Sequence, residues 1–319
     1  MRALQLSGPK LAEIVEVPTP TPSAGQVLVE LEGCGLCGSN LSPWQGRPWF
    51  RYPFAAGAPG HEGWGRVAAR GADVSNLQVG DRVALLSERA FAEYDVASAD
   101  AVVRLPEALD DQVVPGEALG CAVNVFRRSD IQPGHDVAIV GLGFIGALVA
   151  QMAARAGARV FAISRRPCAL ELGRRMGACE AVSLDDTDEH ILAQIEAWTG
   201  GALCDRSIEA AGHQRTLDLA AKLTRTRGRL VVAGYHQDGA RMVDMQLWNW
   251  RGLDVINAHE RDRAVYVEGM RAAVEAIAAG QLDPTPLYTH TVALADAALA
   301  FTALDERPHG FVKAQVLAR

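Results

Sequence analysis

Hydrophobic and polar positions alternate with three different rhythms along the chain. Up to about residue 105 the apolar side chains come in short runs. Val27, Val29 and Leu31 alternate with polar or small neighbours, and apolar segments at Val83–Leu86 and Phe91–Val96 are set off by Gly, Asp and Pro. A period of two bounded by turn residues predicts strands of a half-buried sheet. From Asp136 the rhythm changes. Unbroken apolar runs at Val137–Val140, Val160–Ile163 and Leu230–Ala233 alternate with helical patterns at Phe144–Ala156 and Ala169–Met176. Strand–helix alternation of this kind predicts an α/β fold with a parallel, doubly wound sheet. The last stretch predicts a helix over Arg263–Ala279, a break at Asp283-Pro284-Thr285-Pro286, a second helix over Leu294–Leu304 and a final strand at Phe311–Leu317. No internal repeat or low-complexity segment interrupts it.

Composition narrows the class. The chain has 319 residues, 49% apolar and 22% charged, enough for one large domain or two of ordinary size. A net charge of −7 without a long Lys/Arg run argues against a nucleic-acid partner. Val137–Ala154 carries no charge and approaches the length of a membrane span, but its glycines fit a buried strand turning into a buried helix better, so no membrane partner is expected. The opening MRALQLSGPK lacks the apolar core of a signal peptide, and the six cysteines then read as free thiols or metal ligands. The expected compartment is the cytoplasm.

Two groups of residues suggest chemistry. Gly141, Leu142, Gly143, Phe144, Ile145 and Gly146 lie between the apolar run Val137–Val140 and a helical pattern. In that context the glycines serve a tight turn, close approach to a pyrophosphate and close helix–strand packing, while the helix N-terminus faces the phosphates. At the end of the next strand an acid would bind the ribose 2′-hydroxyl of NAD. Here Ser164, Arg165 and Arg166 stand instead, leaving room and guanidinium donors for a 2′-phosphate. NADP is therefore expected over NAD.

The second group is metal-like. Cys34 and Cys37 form the single CxxC pair, and His61-Glu62 follow about two dozen residues later. A catalytic zinc needs three protein ligands and an open position, so Cys37, His61 and one further group suffice. Glu117 and Cys121 are both candidates for the third.

Taken in order, "CGLCGSN" at 34–40, "GHEG" at 60–63, "GDRV" at 80–83, "FAEY" at 91–94 and "GLGFIG" at 141–146 make the chain resemble the zinc-containing medium-chain dehydrogenase/reductase family, with the sorbitol and polyol branch most similar. The resemblance implies a GroES-like, β-rich catalytic domain over residues 1–122, a Rossmann nucleotide-binding domain over 123–260, and a return to the catalytic domain over 261–319. It implies a catalytic zinc on Cys37, His61 and Glu117, with Cys121 as runner-up and Glu62 as a further possible ligand or part of the proton path. Ser39 is the expected proton relay. A homodimer or homotetramer acting on a small alcohol or ketone is also implied. The run "GDRVALLSERAFAEY" lacks the cysteine-rich lobe that holds a structural zinc in many members, so one zinc per chain is expected. Asn40 stands where the family usually has Asp, and it is expected to accept a hydrogen bond from His61.

The activity so implied is oxidation of a secondary alcohol, polyol or cyclitol to its ketone, or the reverse. The alternatives are a zinc-free NADPH-dependent enone or quinone reductase and a non-catalytic NADP-binding sensor or structural protein. Cys168, Cys179 and Cys204 read as buried apolar side chains. The histidines other than His61 read as structural or solvated. Trp44, Trp49, Phe50, Tyr52 and Phe54, interleaved with Arg47 and Arg51, read as core or as a substrate-pocket wall.

Overall fold

The computed structural model describes residues 1–318, which form two compact units: residues 1–120 with 261–318, and residues 121–260. The first unit contains strands β1 (Arg2–Gly8), β2 (Leu11–Glu16) and β3 (Gln26–Gly35), a short helix α1 (Leu41–Gln45), then β4 (Glu62–Arg70), β5 (Arg82–Leu85), β6 (Tyr94–Ser98) and β7 (Val102–Arg104). Helix α2 (Gly116–Ser129) follows. After the second unit the chain adds α8 (Arg263–Ala278), β14 (Tyr288–Ala293), α9 (Ala297–Glu306) and β15 (Lys313–Leu317).

Period-two burial makes these strands. Val27, Val29 and Leu31 of β3 are almost fully buried while the residues between them are half-exposed. The sheet runs β14-β15-β3-β4-β5-β7, with β6 also on β3. Its apolar side packs Leu4, Leu6, Phe91 and Phe311 with Phe301 of α9, whose ring meets Phe91 edge-on at 5.4 Å. Each such fully buried side chain contributes about 1.5–3 kcal/mol. Strand β15 joins β3 antiparallel, with Gln315 opposite Gly35. A segment late in sequence thus lies against a strand formed early.

The second unit alternates β8 (Asp136–Val140), α3 (Phe144–Arg155), β9 (Arg159–Ser164), α4 (Pro167–Arg175), β10 (Glu180–Ser183), α5 (Asp188–Trp198), β11 (Cys204–Glu209), α6 (Gln214–Leu223), β12 (Thr224–Val232), α7 (Met245–Arg251) and β13 (Asp254–Asn257). Its six strands are all parallel in the order β10-β9-β8-β11-β12-β13. That is the doubly wound order, with strand order reversing between β8 and β11. Val137, Ala138, Ile139 and Val140 are wholly buried, as a strand covered on both faces requires. No helix among the described residues is long and apolar enough to cross a membrane. Cys204 is buried as expected, whereas Cys168 is half-buried and Cys179 is exposed in the bend before β10, which corrects the apolar reading of those two thiols.

Candidate active site

Strand pairing assembles the metal-like residues. In the β3–β4 ladder Gly35 lies opposite Glu62 and Cys34 opposite Gly63. The segment leaving β3 at Cys37 is therefore beside the segment entering β4 at His61. The metal-binding atoms of Cys37, His61 and Glu62 lie within 4.8 Å of one another, the only such group among the described residues. Gly35 is obligatory there, since a Cβ would fall 2.0 Å from the Glu62 carboxylate. Cys34 is fully buried beside them, outside the group of three, and its thiol donates to the Gly35 carbonyl at 3.4 Å.

Short-range contacts orient each of these side chains. Cys37 caps a 3-10 turn over Gly38–Asn40, and its Sγ accepts the Ser39 N–H at 3.5 Å. Asn40 Oδ1 accepts the Cys37 N–H at 2.9 Å. The expected bond from His61 to Asn40 is absent. His61 Nδ1 lies 3.0 Å from the Pro59 carbonyl, and Asn40 Nδ2 donates to the same oxygen at 3.0 Å. A carbonyl only accepts, so Nδ1 carries the hydrogen and Nε2 faces the cluster. An amide donates to Pro59 where a carboxylate could not, which is the physical reason for the different arrangement.

The surroundings of His61 favour positive charge on its ring. Burial alone would lower the pKa of His61, yet a hydrogen bond and the charge of Cys37, then the carboxylates of Glu117 and Glu62, raise it to about 10. Glu117, in the first turn of α2, lies outside the tight group of three but close enough to act on His61. Cys121, four residues on, belongs to the second unit.

One member went unread in the sequence. Lys313 Nζ lies 2.6 Å from Oε1 and 2.5 Å from Oε2 of Glu62, with both side chains almost fully buried. Burial would lower the pKa of Lys313, but Glu62, Cys37 and Glu117 more than offset it and hold the ammonium charged. A lone lysine inside the apolar run Phe311–Leu317 was the available signal.

The glycine turn of the second unit lies between β8 and α3. Gly141 has φ +111°, and a Cβ on it would fall 2.9 Å from Ala211 N. A Cβ on Gly146 would fall 2.0 Å from the Gly141 carbonyl, so the helix packs directly on the turn. Gly143 is different. Its Cβ would meet nothing within 4 Å, which leaves open space at the N-terminus of α3. Leu142 and Phe144 are buried, and Ile145 half-buried. Ser164 ends β9 in a buried position, Arg165 is exposed, and Arg166 caps α4 ahead of Pro167.

Comparison with known proteins fits this geometry. Residues 145–276 match the zinc-binding dehydrogenase family and residues 23–107 the alcohol dehydrogenase GroES-like domain. The chain is 30% identical to an alcohol dehydrogenase of Moraxella sp. over 70% of its own length and 73% of that protein. It belongs to the medium-chain dehydrogenase/reductase family. This medium-chain dehydrogenase is an oxidoreductase that interconverts an alcohol and its carbonyl compound. It is 28% identical to the 2-dehydro-3-deoxy-L-galactonate 5-dehydrogenase of Pseudoalteromonas atlantica, across 97% of both chains. Its fold matches 2R,3R-butanediol dehydrogenase from Bacillus subtilis with a TM-score of 0.86 at 25% identity, covering 100% of this chain and 99% of that one.

Of the aromatic residues between Cys37 and His61, Trp44 is core, 5.2 Å from Phe301, whereas Trp49 is exposed.

Proposed function

We propose that this dehydrogenase is zinc-dependent and interconverts a secondary alcohol (a polyol, cyclitol or similar small molecule) and its ketone, with NADP preferred over NAD. The observation that carries the reading is the convergence of Cys37, His61 and Glu62 in a field that raises His61 to about 10. Groups that favour a proton on an imidazole favour a divalent cation in its place. Cys37, His61 and Glu117 are the assigned ligands of one zinc, with Glu62 beside them and Cys121 as the alternative to Glu117. The names of the Pseudoalteromonas and Bacillus relatives both denote secondary hydroxyl groups, which supports the substrate class.

In the bound state zinc would supply Lewis acidity toward the substrate hydroxyl, and the nicotinamide the hydride acceptor. The protein contributes the rest. The Ser39 N–H steadies the Cys37 sulfur, and the Pro59 carbonyl fixes the His61 ring with Nε2 inward. Lys313 fixes the Glu62 carboxylate beside the cluster and balances its charge. The Ser39 hydroxyl passes the substrate proton outward. In the second unit the space beside Gly143 admits a pyrophosphate, and Arg165 and Arg166 receive a 2′-phosphate.

Metal analysis with a turnover screen over polyols, cyclitols, amino alcohols and simple secondary alcohols tests this. One zinc per chain and NADP-linked turnover are expected, and Arg166→Ala should weaken NADP selectively by roughly 1.5–3 kcal/mol. Full activity on enones without metal would replace the reading with a zinc-free reductase. Equal loss of NAD and NADP in the Arg166 variant would remove the cofactor assignment.

A further inference from the structure

A chain of polar contacts at the carboxyl ends of β11 and β12 is not accounted for by the glycine turn. Glu209, the last residue of β11, is fully buried. Its Oε1 accepts the N–H of Ala211 at 2.8 Å, the N–H of Gly212 at 2.7 Å and the Thr216 hydroxyl at 2.7 Å. Its Oε2 lies 2.9 Å from His236 Nε2. On the far side of that ring, Arg241 Nε donates to His236 Nδ1 at 2.9 Å. A guanidinium has no acceptor, so Nδ1 carries the lone pair and Nε2–H donates to Glu209. Arg241 also donates to the Gly212 carbonyl at 3.0 Å and pairs with Asp238.

These bonds tie together loops that are separate in sequence. The turn after β11 is held by Glu209 and Arg241, and the loop after β12 by His236. Tyr235 packs 5.4 Å from His259, which follows β13. The fit is close: a Cβ on Gly234 would fall 2.4 Å from Glu209 Oε2 and 2.3 Å from Gly212 N. The same turn touches the glycine motif, as the 2.9 Å between Ala211 N and a Cβ on Gly141 shows.

A doubly wound sheet has two mononucleotide-binding halves, with the ligand outside the carboxyl ends of the strands. Here β8, β9 and β10 carry the glycine turn and Ser164-Arg165-Arg166, while β11, β12 and β13 carry the tied loops. Resting on the reading of Gly141–Gly146 as the pyrophosphate turn, we propose that Glu209, His236 and Arg241 are positioning residues for the nicotinamide half of the dinucleotide. They set that half of the site by fixing two loops as one, without touching the reacting atoms.

The test separates the two halves of the ligand. Dissociation constants of NADPH and NADH are compared with those of adenosine 2′,5′-bisphosphate and ADP, on the full-length protein, with thermal midpoints recorded alongside. His236→Ala should weaken the dinucleotides on the order of 10-fold, the scale of one lost hydrogen bond to a charged group, and leave the adenosine halves within about 2-fold. His236→Gln offers both a donor for Glu209 and an acceptor for Arg241, so it should bind as the wild type does. Arg241→Met removes the far end of the same chain of contacts, should weaken the dinucleotides in the same direction and covers the case in which His236→Ala does not fold. Equal loss on dinucleotides and adenosine halves would mean general loosening and overturn the proposal, as would a His236→Gln variant as weak as His236→Ala. If the wild type binds no nucleotide, the reading of the glycine turn fails first, visible before any variant is made.

Discussion

Residues 37, 61, 62 and 313 of the first unit converge only because β3 pairs with β4 and β15, whereas the glycine turn of the second unit is six consecutive residues between one strand and one helix. The pair Lys313–Glu62 closes across 251 positions of sequence. The turn closes over the distance from Gly141 to Gly146. One cluster therefore depends on the register of a whole sheet and the other on local backbone geometry. Substitutions that disturb register should damage the first and spare the second.

The largest effect expected concerns the third ligand. Glu117→Ala should strip zinc and lower turnover by roughly 10³-fold, the several kcal/mol that a Lewis acid contributes. Cys121→Ala should keep the metal and lose a little packing. Zinc retained by the first variant and lost by the second, in metal analysis of the purified proteins, would exchange their roles.

Next comes the long-range ion pair. Lys313→Met leaves a buried carboxylate without its cation and should cost about 3–5 kcal/mol in denaturant unfolding. Adding Glu62→Gln should recover more than half of that loss. Unchanged stability in the single variant would show that Glu62 finds another partner.

Two glycines then set the regions against each other. Gly35→Ala pushes a methyl into the Glu62 carboxylate, and Gly146→Ala pushes one into the Gly141 carbonyl. Each overpacked site should cost about 1–3 kcal/mol. The first should weaken zinc while nucleotide binding persists, and the second should do the reverse. Loss of both ligands in either variant, read by metal analysis and nucleotide titration, would deny that the sites are built independently.

The smallest effect is a proton count. His61 in the metal-free protein titrates near 10, above its ordinary 6.5, so the stability it contributes is complete below that ordinary value and lost as pH rises through about 10. Metal needs the unprotonated ring. Zinc loading at about pH 8 should therefore release about one proton from His61, and affinity should climb with pH until about 10. Calorimetry in two buffers of different ionisation enthalpy gives the count, and a value of zero from this ring would contradict the site's electrostatics.

The same contrast decides what could be read beforehand. Apolar runs such as Val137–Val140 and Val160–Ile163 announced β8 and β9 because a doubly covered strand has no polar residue to spare. Central strand β11 escaped notice, since its sequence CDRSIE ends in a carboxylate and carries Asp205 and Arg206 where ion pairs with Arg225 and Asp130 absorb them. Edge strand β14 hid for a similar reason, alternating half-buried and exposed residues. Cys37, His61 and Glu62 were legible by residue type and spacing. Lys313 was not, because no local pattern reports that Gln315 lies opposite Gly35. Glu209 and His236 were equally silent, being 27 residues apart and joined only through the loops they tie.

The position of β15 after the whole second unit has a kinetic meaning. A ribosome adds roughly 5–20 residues per second, so the Glu62 carboxylate waits on the order of 13–50 s for Lys313 to be made. During that interval the second unit, continuous in sequence, is complete and free to fold, while the Gly33–Gly35 end of β3, beyond the stretch that β6 covers, still lacks its partner strand. Such an edge invites strand addition by a neighbouring nascent chain. A zinc ion arriving early, held by Cys37 and His61, would relieve the charge on Glu62 before its lysine exists. Zinc added during cell-free synthesis should then raise the yield of native protein over synthesis with a chelator present.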